Sequence, residues 1–160
     1  MPTSSREFIT KLWNEAFTQG LWAAPWSKSL EGLSAAQAAW QPPDAATLHG
    51  QAGKRHSIWQ NVLHMCLWRE HWLRKLVGQT TPKEVLEQQN FPALTDTSEG
   101  AWAAARARFI ESQKQIGAAL ANPATSEEHF EAIAHFLPHD CYHFGQINYL
   151  RALQGLNPIE

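Results

Sequence analysis

His139 and His143 are the residues of this sequence whose spacing most directly predicts chemistry. Imidazoles at positions i and i+4 of a helix project side by side, and such a pair can bind one metal ion together. Around them, side chains at helical spacing define one strongly apolar face of the segment, which includes Ala132, Phe136, Gln146, Leu150 and Leu153. Both histidines are therefore expected to face the interior of the protein.

Two alternatives to this pair stay open. His135 also lies one turn from His139, but it is nearer the edge of the apolar face and precedes Pro138, so it ranks behind His143. The second alternative is that the histidines are ordinary core residues. A buried imidazole with a hydrogen-bond partner needs no metal, whereas an unsatisfied one costs about 1–3 kcal/mol.

His64 is the third candidate ligand, in the middle of a helix predicted over residues 57–77. It shares one face of that helix with Gln60, Leu67, Trp68 and His71. His71 lies two turns further on, about 10 Å along the axis, and could not join the same ion without displacing His64. The candidate metal ligands are therefore His64, His139 and His143.

Two metal-site motifs of other protein classes fit less well. Residues 139–143 read HDCYH, which looks like the zinc-protease pattern H-E-x-x-H with Asp140 in place of glutamate. Those proteases usually take their third ligand downstream, where only Glu160 is available. Di-iron bundles need Glu-x-x-His on two helices, and no glutamate here has a histidine three residues later. The sequence favours neither reading.

Four long helices are predicted, over residues 5–20, 57–77, 97–121 and 127–154. The first two begin with capping boxes, formed by Ser4 with Glu7 and by Ser57 with Gln60. Pro138 lies inside the fourth, which predicts either a kink there or a short helical piece before it. Four helices and no credible strand indicate an all-α protein, a four-helix bundle forming a single domain over residues 1–160.

The segments that join the helices differ in length. Residues 21–56 contain Pro25, the Pro42-Pro43 pair, Gly50 and Gly53, which forbid one long helix and predict a long irregular crossover between the first two helices. Within it, Ser34 could cap a short helix reaching Trp40. Residues 79–96 are predicted to be a loop or a short turn.

Composition narrows the possible partners and location. The formal net charge is −2 and no basic run stands out, so we expect no nucleic-acid binding. No run of eighteen apolar residues could span a membrane, and the N-terminal segment carries charges where a signal peptide would be apolar. Two cysteines are too few for a disulfide framework, which favours a reducing, cytoplasmic location.

Two segments resemble the signature helices of the DinB-like superfamily. They are HSIWQNVLHMCLWREHWLRKL at 56–76 and HDCYHFGQINYLRALQG at 139–155. The resemblance implies a four-helix bundle with a long crossover, frequent homodimers, and one divalent ion, zinc or nickel, held by three histidines. By position in the two signatures, these would be His64, His139 and His143.

The resemblance also implies a range of functions. Some members of the superfamily resemble transferases or isomerases that use low-molecular-weight thiols, and many are stress- or DNA-damage-induced proteins. We therefore expect a metal-dependent transferase or hydrolase acting on a low-molecular-weight-thiol conjugate or other small molecule. The alternatives are a non-enzymatic metal-binding stress-response protein, and a bundle whose histidines are only hydrogen-bonded. Trp68 and Trp72 are candidates to wall the opening. The sequence identifies no general base and no side chain that orients a ligand histidine.

Overall fold

The computed structural model describes residues 4–43, 55–157 and 159 of the chain. Its helices are α1 Ser5–Thr18, α2 Trp26–Ser29, α3 Ala35–Ala39, α4 Ile58–Leu76, α5 Lys83–Gln89, α6 Glu99–Ala121, α7 Glu127–Ala134 and α8 Phe136–Leu153. No strand occurs within the described residues. The all-α prediction is confirmed.

The predicted capping boxes start the helices as expected. The hydroxyl oxygens of Ser4 and Ser57 accept hydrogen bonds from the backbone N–H groups three residues later. In return, the side-chain oxygens of Glu7 and Gln60 accept hydrogen bonds from the backbone N–H groups of the two serines. Ser34 does the same at the start of α3, so the short helix predicted inside the crossover is confirmed. Such caps satisfy backbone donors that the first helical turn leaves open.

The fourth predicted helix is two helices, α7 and α8, which meet at His135. Pro138 occupies the third position of α8. A proline has no N–H to donate, and in the first turn no intrahelical bond is lost by its absence. Of the two predicted outcomes, a short helical piece before the proline is the one observed.

Residues 79–96 were predicted to be a loop or a short turn, but the structure has a seven-residue helix there, α5. None of these seven residues is buried, so the segment has no apolar periodicity by which it could be identified. Pro82 stands just before the first helical residue, and Lys83 lies 3.5 Å from Glu87 one turn later. Local preferences, rather than burial, indicate a helix here.

The long helices pack as a bundle in which α4 contacts both α6 and α8, and α1 packs on α6. The short helix α2 fits between α1 and α8, where the Trp26 ring lies 5.3 Å from Trp13 and 5.3 Å from Phe144, centroid to centroid. Gly50 and Gly53 of the predicted crossover lie outside the described residues. No helix that the structure describes is long and apolar enough to cross a membrane.

The core contains a buried ion pair in addition to apolar side chains. Trp13, Met65, Trp102, Phe109, Ile116 and Ile147 are among its fully buried residues. Arg69 of α4 and Asp140 of α8 are also fully buried, with 2.6 Å between Nη2 and Oδ2. This pair links the two helices that carry the candidate ligands.

Candidate metal centre

The facing surfaces of α4 and α8 bring His64, His139 and His143 together. Each offers one ring nitrogen, and the three nitrogens lie within 4.8 Å of one another. Nε2 of His64 is 3.2 Å from Nε2 of His139, and the His143 ring centroid is 4.5 Å from each of the other two. His135 is exposed and is not part of this group. The three histidines predicted from the sequence are therefore adjacent in the fold.

His139 is oriented by the residue that follows it. Its Nδ1 lies 2.7 Å from Oδ1 of Asp140. The other carboxylate oxygen, Oδ2, accepts hydrogen bonds from Nε and Nη2 of Arg69, at 2.9 and 2.6 Å. A carboxylate in a salt bridge can only accept, so the His139 proton resides on Nδ1 and the lone pair on Nε2.

Arg69 is itself held from several sides in the core. Its Nη1 donates to Ser112 Oγ at 3.2 Å and to the Phe109 carbonyl at 3.4 Å. The guanidinium carbon lies 4.3 Å from the ring centroid of Phe109 and 5.0 Å from that of Trp13. A buried charge is tolerated only with such partners, and these contacts fix the position from which Arg69 holds Asp140.

His64 is oriented by the residues that follow α5. Its Nδ1 lies 2.6 Å from Oδ1 of Asn90, and its ring stacks on Phe91 at 4.1 Å with 8° between the planes. Phe91 has a φ of 52°, a left-handed conformation that costs a non-glycine residue about 1–3 kcal/mol. Phe91 therefore stacks on His64 while its own backbone is held in an unfavourable conformation.

His143 is oriented by two amides. Its Nδ1 lies 2.8 Å from Oε1 of Gln146 and 3.0 Å from Oδ1 of Asn61. The Asn61 amide nitrogen donates to the Ser57 carbonyl at 2.9 Å, and the Gln146 amide nitrogen donates to the Tyr142 hydroxyl at 3.0 Å. The Ser57 carbonyl can only accept, so this contact turns the Asn61 oxygen towards His143, whose proton therefore also resides on Nδ1.

The three rings consequently share one protonation pattern. Each Nδ1 faces an oxygen, which leaves Nε2 as the nitrogen able to bind a metal ion. Two unprotonated nitrogens 3.2 Å apart repel unless a cation lies between them. Two nitrogens bound tetrahedrally to zinc at about 2.05 Å would be about 3.3 Å apart. The 3.2 Å separation between His64 and His139 fits such an ion.

Burial favours the neutral form of His64 and His143. Burial, reinforced by the neighbouring His64 and His139 rings, lowers the pKa of His143 to about 4. Burial also lowers the pKa of His64, against the opposing effect of its hydrogen bond to Asn90. Metal ligation requires neutral imidazole, so the surroundings of His64 and His143 favour their binding-competent form at neutral pH.

Two cavities adjoin the histidines. The larger, about 730 Å³, opens on His64 and His143, and its walls include Asn61, Phe91, Tyr142 and Gln146. The other, about 540 Å³, opens on His139 and is lined by Trp68, Trp72, Glu128, Glu131, Ala132, His135 and Phe136. Trp68 and Trp72 thus form the wall predicted for them, in the smaller cavity. Either volume is large enough for a small molecule.

The zinc-protease reading is wrong on the position of Asp140. A protease base must reach a substrate, whereas Asp140 is fully buried and bonded to Arg69 and His139. Of the two cysteines, Cys66 is buried in the core, where burial raises the pKa of its thiol to about 11, and Cys141 is exposed. Neither belongs to the histidine group.

The partners of the histidines were not identified from the sequence, although one signal for them exists. Arg69 lies four residues after Met65 and seven after Val62, in the middle of the apolar stripe of α4. A charge at such a position requires a buried partner of opposite sign on a facing helix. Asp140, on the apolar helix that carries the paired histidines, meets that requirement.

Comparison with known proteins places the chain in a family. The family model of the DinB superfamily matches residues 23–157, which include all three histidines. The chain belongs to the DinB superfamily. No curated protein and no solved structure shows a significant match to it. The DinB superfamily is a metal-binding family, and the three-histidine group of this chain could hold a metal ion.

Proposed function

We propose that this protein binds one divalent ion, zinc or nickel, through His64, His139 and His143. We also propose that it is a metal-dependent transferase or hydrolase acting on a low-molecular-weight-thiol conjugate or other small molecule. One observation carries the metal assignment: each of the three Nδ1 atoms faces an oxygen, and the group as a whole lies within 4.8 Å. A hydrogen-bonded histidine core would not need three nitrogens with free lone pairs in one place.

A bound ion with three neutral histidine ligands and an open position would supply Lewis acidity towards water or a thiolate. The chain's own residues provide the rest. Asp140, Asn90 and the amides around His143 hold the histidine protons on Nδ1. The larger cavity gives a small molecule access to the side of the group formed by His64 and His143.

The alternative is a metal-binding stress-response protein without turnover. One observation favours it: none of the described residues that line the larger cavity is an aspartate or a glutamate, so no carboxylate base faces a substrate there. The Tyr142 ring lies 5.2 Å from the His143 ring, centroid to centroid, and its hydroxyl accepts a hydrogen bond from the Gln146 amide. Turnover therefore has to be tested separately from metal binding.

The experiment that separates these functions compares four samples of untagged protein. Wild type, chelator-treated wild type, His143→Ala and the control His135→Ala are assayed for metal content and in thiol-transfer and hydrolase screens. A transferase or hydrolase should lose its activity with chelator and in His143→Ala but keep it in His135→Ala. Stoichiometric metal without activity in any screen would favour the non-enzymatic protein, and metal-free wild type would refute both.

Three further proposals concern surroundings rather than chemistry. Two free cysteines are compatible with a cytoplasmic location, which we propose. With a net charge of −2, we propose no nucleic-acid partner. The homodimer implied by the family stays a prediction, which the molar mass in solution would test.

A further inference from the structure

The larger cavity has an unbalanced positive charge. Arg55 lines it, and none of its described lining residues is acidic. Arg55 is exposed and forms no ion pair within the part of the chain that the structure describes. An unpaired arginine beside a half-enclosed cavity attracts an anionic ligand, because the protein walls reduce screening by water.

The candidate metal centre would add to this charge. Three neutral histidines leave the two positive charges of a divalent ion uncompensated. The nearest buried carboxylate, Asp140, does not offset them, since it lies behind His139 and its charge is matched by Arg69. An anionic ligand in the larger cavity would therefore meet the positive charge of Arg55 and that of an ion held by the histidines.

The smaller cavity has the opposite character. Its exposed residues Glu128 and Glu131 are acidic, and the tryptophans Trp68 and Trp72 form its apolar wall. An anion would be repelled there. This difference in charge between the two cavities favours the larger one for an anionic ligand. Phe91, Leu150 and Leu153 also offer apolar surface there for the ligand's carbon skeleton.

We propose that the substrate bound in the larger cavity is a carboxylate-bearing thiol, whose carboxylate pairs with Arg55 while its sulfur faces the three histidines. The proposal rests on the proposed metal-dependent function and specifies its substrate class. A guanidinium matches a carboxylate with two parallel hydrogen bonds, and a single arginine suits a singly charged group. A thiolate is the soft anionic donor that zinc or nickel accepts beside imidazoles.

The test uses cobalt(II)-loaded protein and three thiols of similar size that differ in charge. The probes are 3-mercaptopropionate, 2-mercaptoethanol and cysteamine, and the readout is the near-ultraviolet sulfur-to-cobalt charge-transfer band. We expect 3-mercaptopropionate to bind about tenfold more tightly than 2-mercaptoethanol, and cysteamine to bind most weakly. The difference should shrink as ionic strength rises, since the Arg55 side chain is exposed.

Variants at Arg55 assign the preference to this side chain. Arg55→Gln should bring 3-mercaptopropionate and 2-mercaptoethanol to similar affinities, Arg55→Lys should retain part of the preference, and Arg55→Glu should favour cysteamine. The matched control is Arg74→Gln, an exposed arginine at the end of α4 that lies outside the cavity. It should leave the preference for 3-mercaptopropionate unchanged.

The outcomes distinguish the two levels of the proposal. Cobalt binding with equal affinities for the three thiols, or a preference unchanged in Arg55→Gln, would overturn the inference and leave the metal site standing. Absence of a charge-transfer band with every thiol, in protein that binds cobalt, would likewise overturn the inference alone. Failure of the wild type to bind cobalt would overturn the proposed function and this inference together. Melting curves of the Arg55 variants that match wild type would show that altered binding does not reflect misfolding.

Discussion

Nδ1 of His139 lies 2.7 Å from Oδ1 of Asp140, and the other oxygen of that carboxylate is bonded to the fully buried Arg69. The half-buried His139 ring is thus connected through one carboxylate to the centre of the bundle. Its orientation is set by the same ion pair that joins α4 to α8. Changes to this pair should therefore affect both metal binding and folding stability.

The first prediction concerns Asp140→Asn. The amide keeps an oxygen for Nδ1 of His139 but removes the charge opposite Arg69, so metal affinity should weaken about 10-fold to 100-fold. The uncompensated arginine should also destabilise the fold by about 3–5 kcal/mol. Metal titration against a competing chelator and denaturant unfolding measure the two effects.

A double variant separates orientation of the ligand from stability. Asp140→Asn combined with Arg69→Met removes both buried charges, so it should recover much of the lost stability because no unpaired charge remains. Metal affinity should stay weakened, because the carboxylate beside His139 is still missing. Full recovery of affinity in the double variant would show that Asp140 acts on the site only through the fold.

The second prediction concerns Asn90→Ala. Asn90 lies in the connection after α5, is exposed, and contributes one hydrogen bond to Nδ1 of His64. Its removal frees the His64 ring to adopt the other tautomer, so metal affinity should fall about tenfold with a small change in stability. Gln89→Ala, an exposed neighbour without such a bond, is the matched control. Equal affinities in the two variants would contradict the orienting role.

The third prediction is the pH dependence of the metal-free protein. Burial lowers the pKa of His143 to about 4, whereas an unfolded histidine has a pKa near 6.5. Between these values the unfolded chain binds a proton that the folded chain does not, so the free energy of unfolding falls as pH drops from about 6.5 to about 4. The lowered pKa of His64 acts with the same sign. His143→Gln should flatten this slope in melting curves recorded across the range.

The fourth prediction links the ion to stability. An ion that binds the folded chain alone stabilises it by about 2.7 kcal/mol when free metal is a hundredfold above its dissociation constant. This corresponds to several degrees in melting temperature for a domain of this size. Chelator should therefore lower the melting temperature at pH 7.5, and the gap should narrow towards pH 5, where protons compete for the histidines. In His64→Ala, the gap should be largely absent.

The helices of this fold could be predicted where apolar periodicity and caps coincide. Ser4, Ser34 and Ser57 begin helices that the sequence predicts, because a capping box is a local pattern. The helix α5 was missed, since it buries no side chain and therefore has no apolar face. Apolar residues recur at helical spacing only where one face of a helix is buried, so an exposed helix cannot be identified from that spacing.

The candidate metal centre likewise has one part that the sequence predicts and another that it does not. His139 and His143 are one turn apart on an apolar face, which local spacing reveals. The contact between His64 and Asn90 depends on the path of the chain after α5 and on the left-handed conformation of Phe91. Arg55, three residues before α4 begins, lines the same cavity as His64 and His143, which lie on two different helices. Tertiary geometry of this kind has no signature in residue spacing.

The central claim is that His64, His139 and His143 bind one metal ion, and metal content tests it most directly. Elemental analysis of untagged protein, purified without chelator, should give close to one zinc or nickel per chain. His143→Ala should lose most of that metal, and His135→Ala should retain it. Equal metal content in wild type and His143→Ala, or loss in His135→Ala alone, would contradict the assignment.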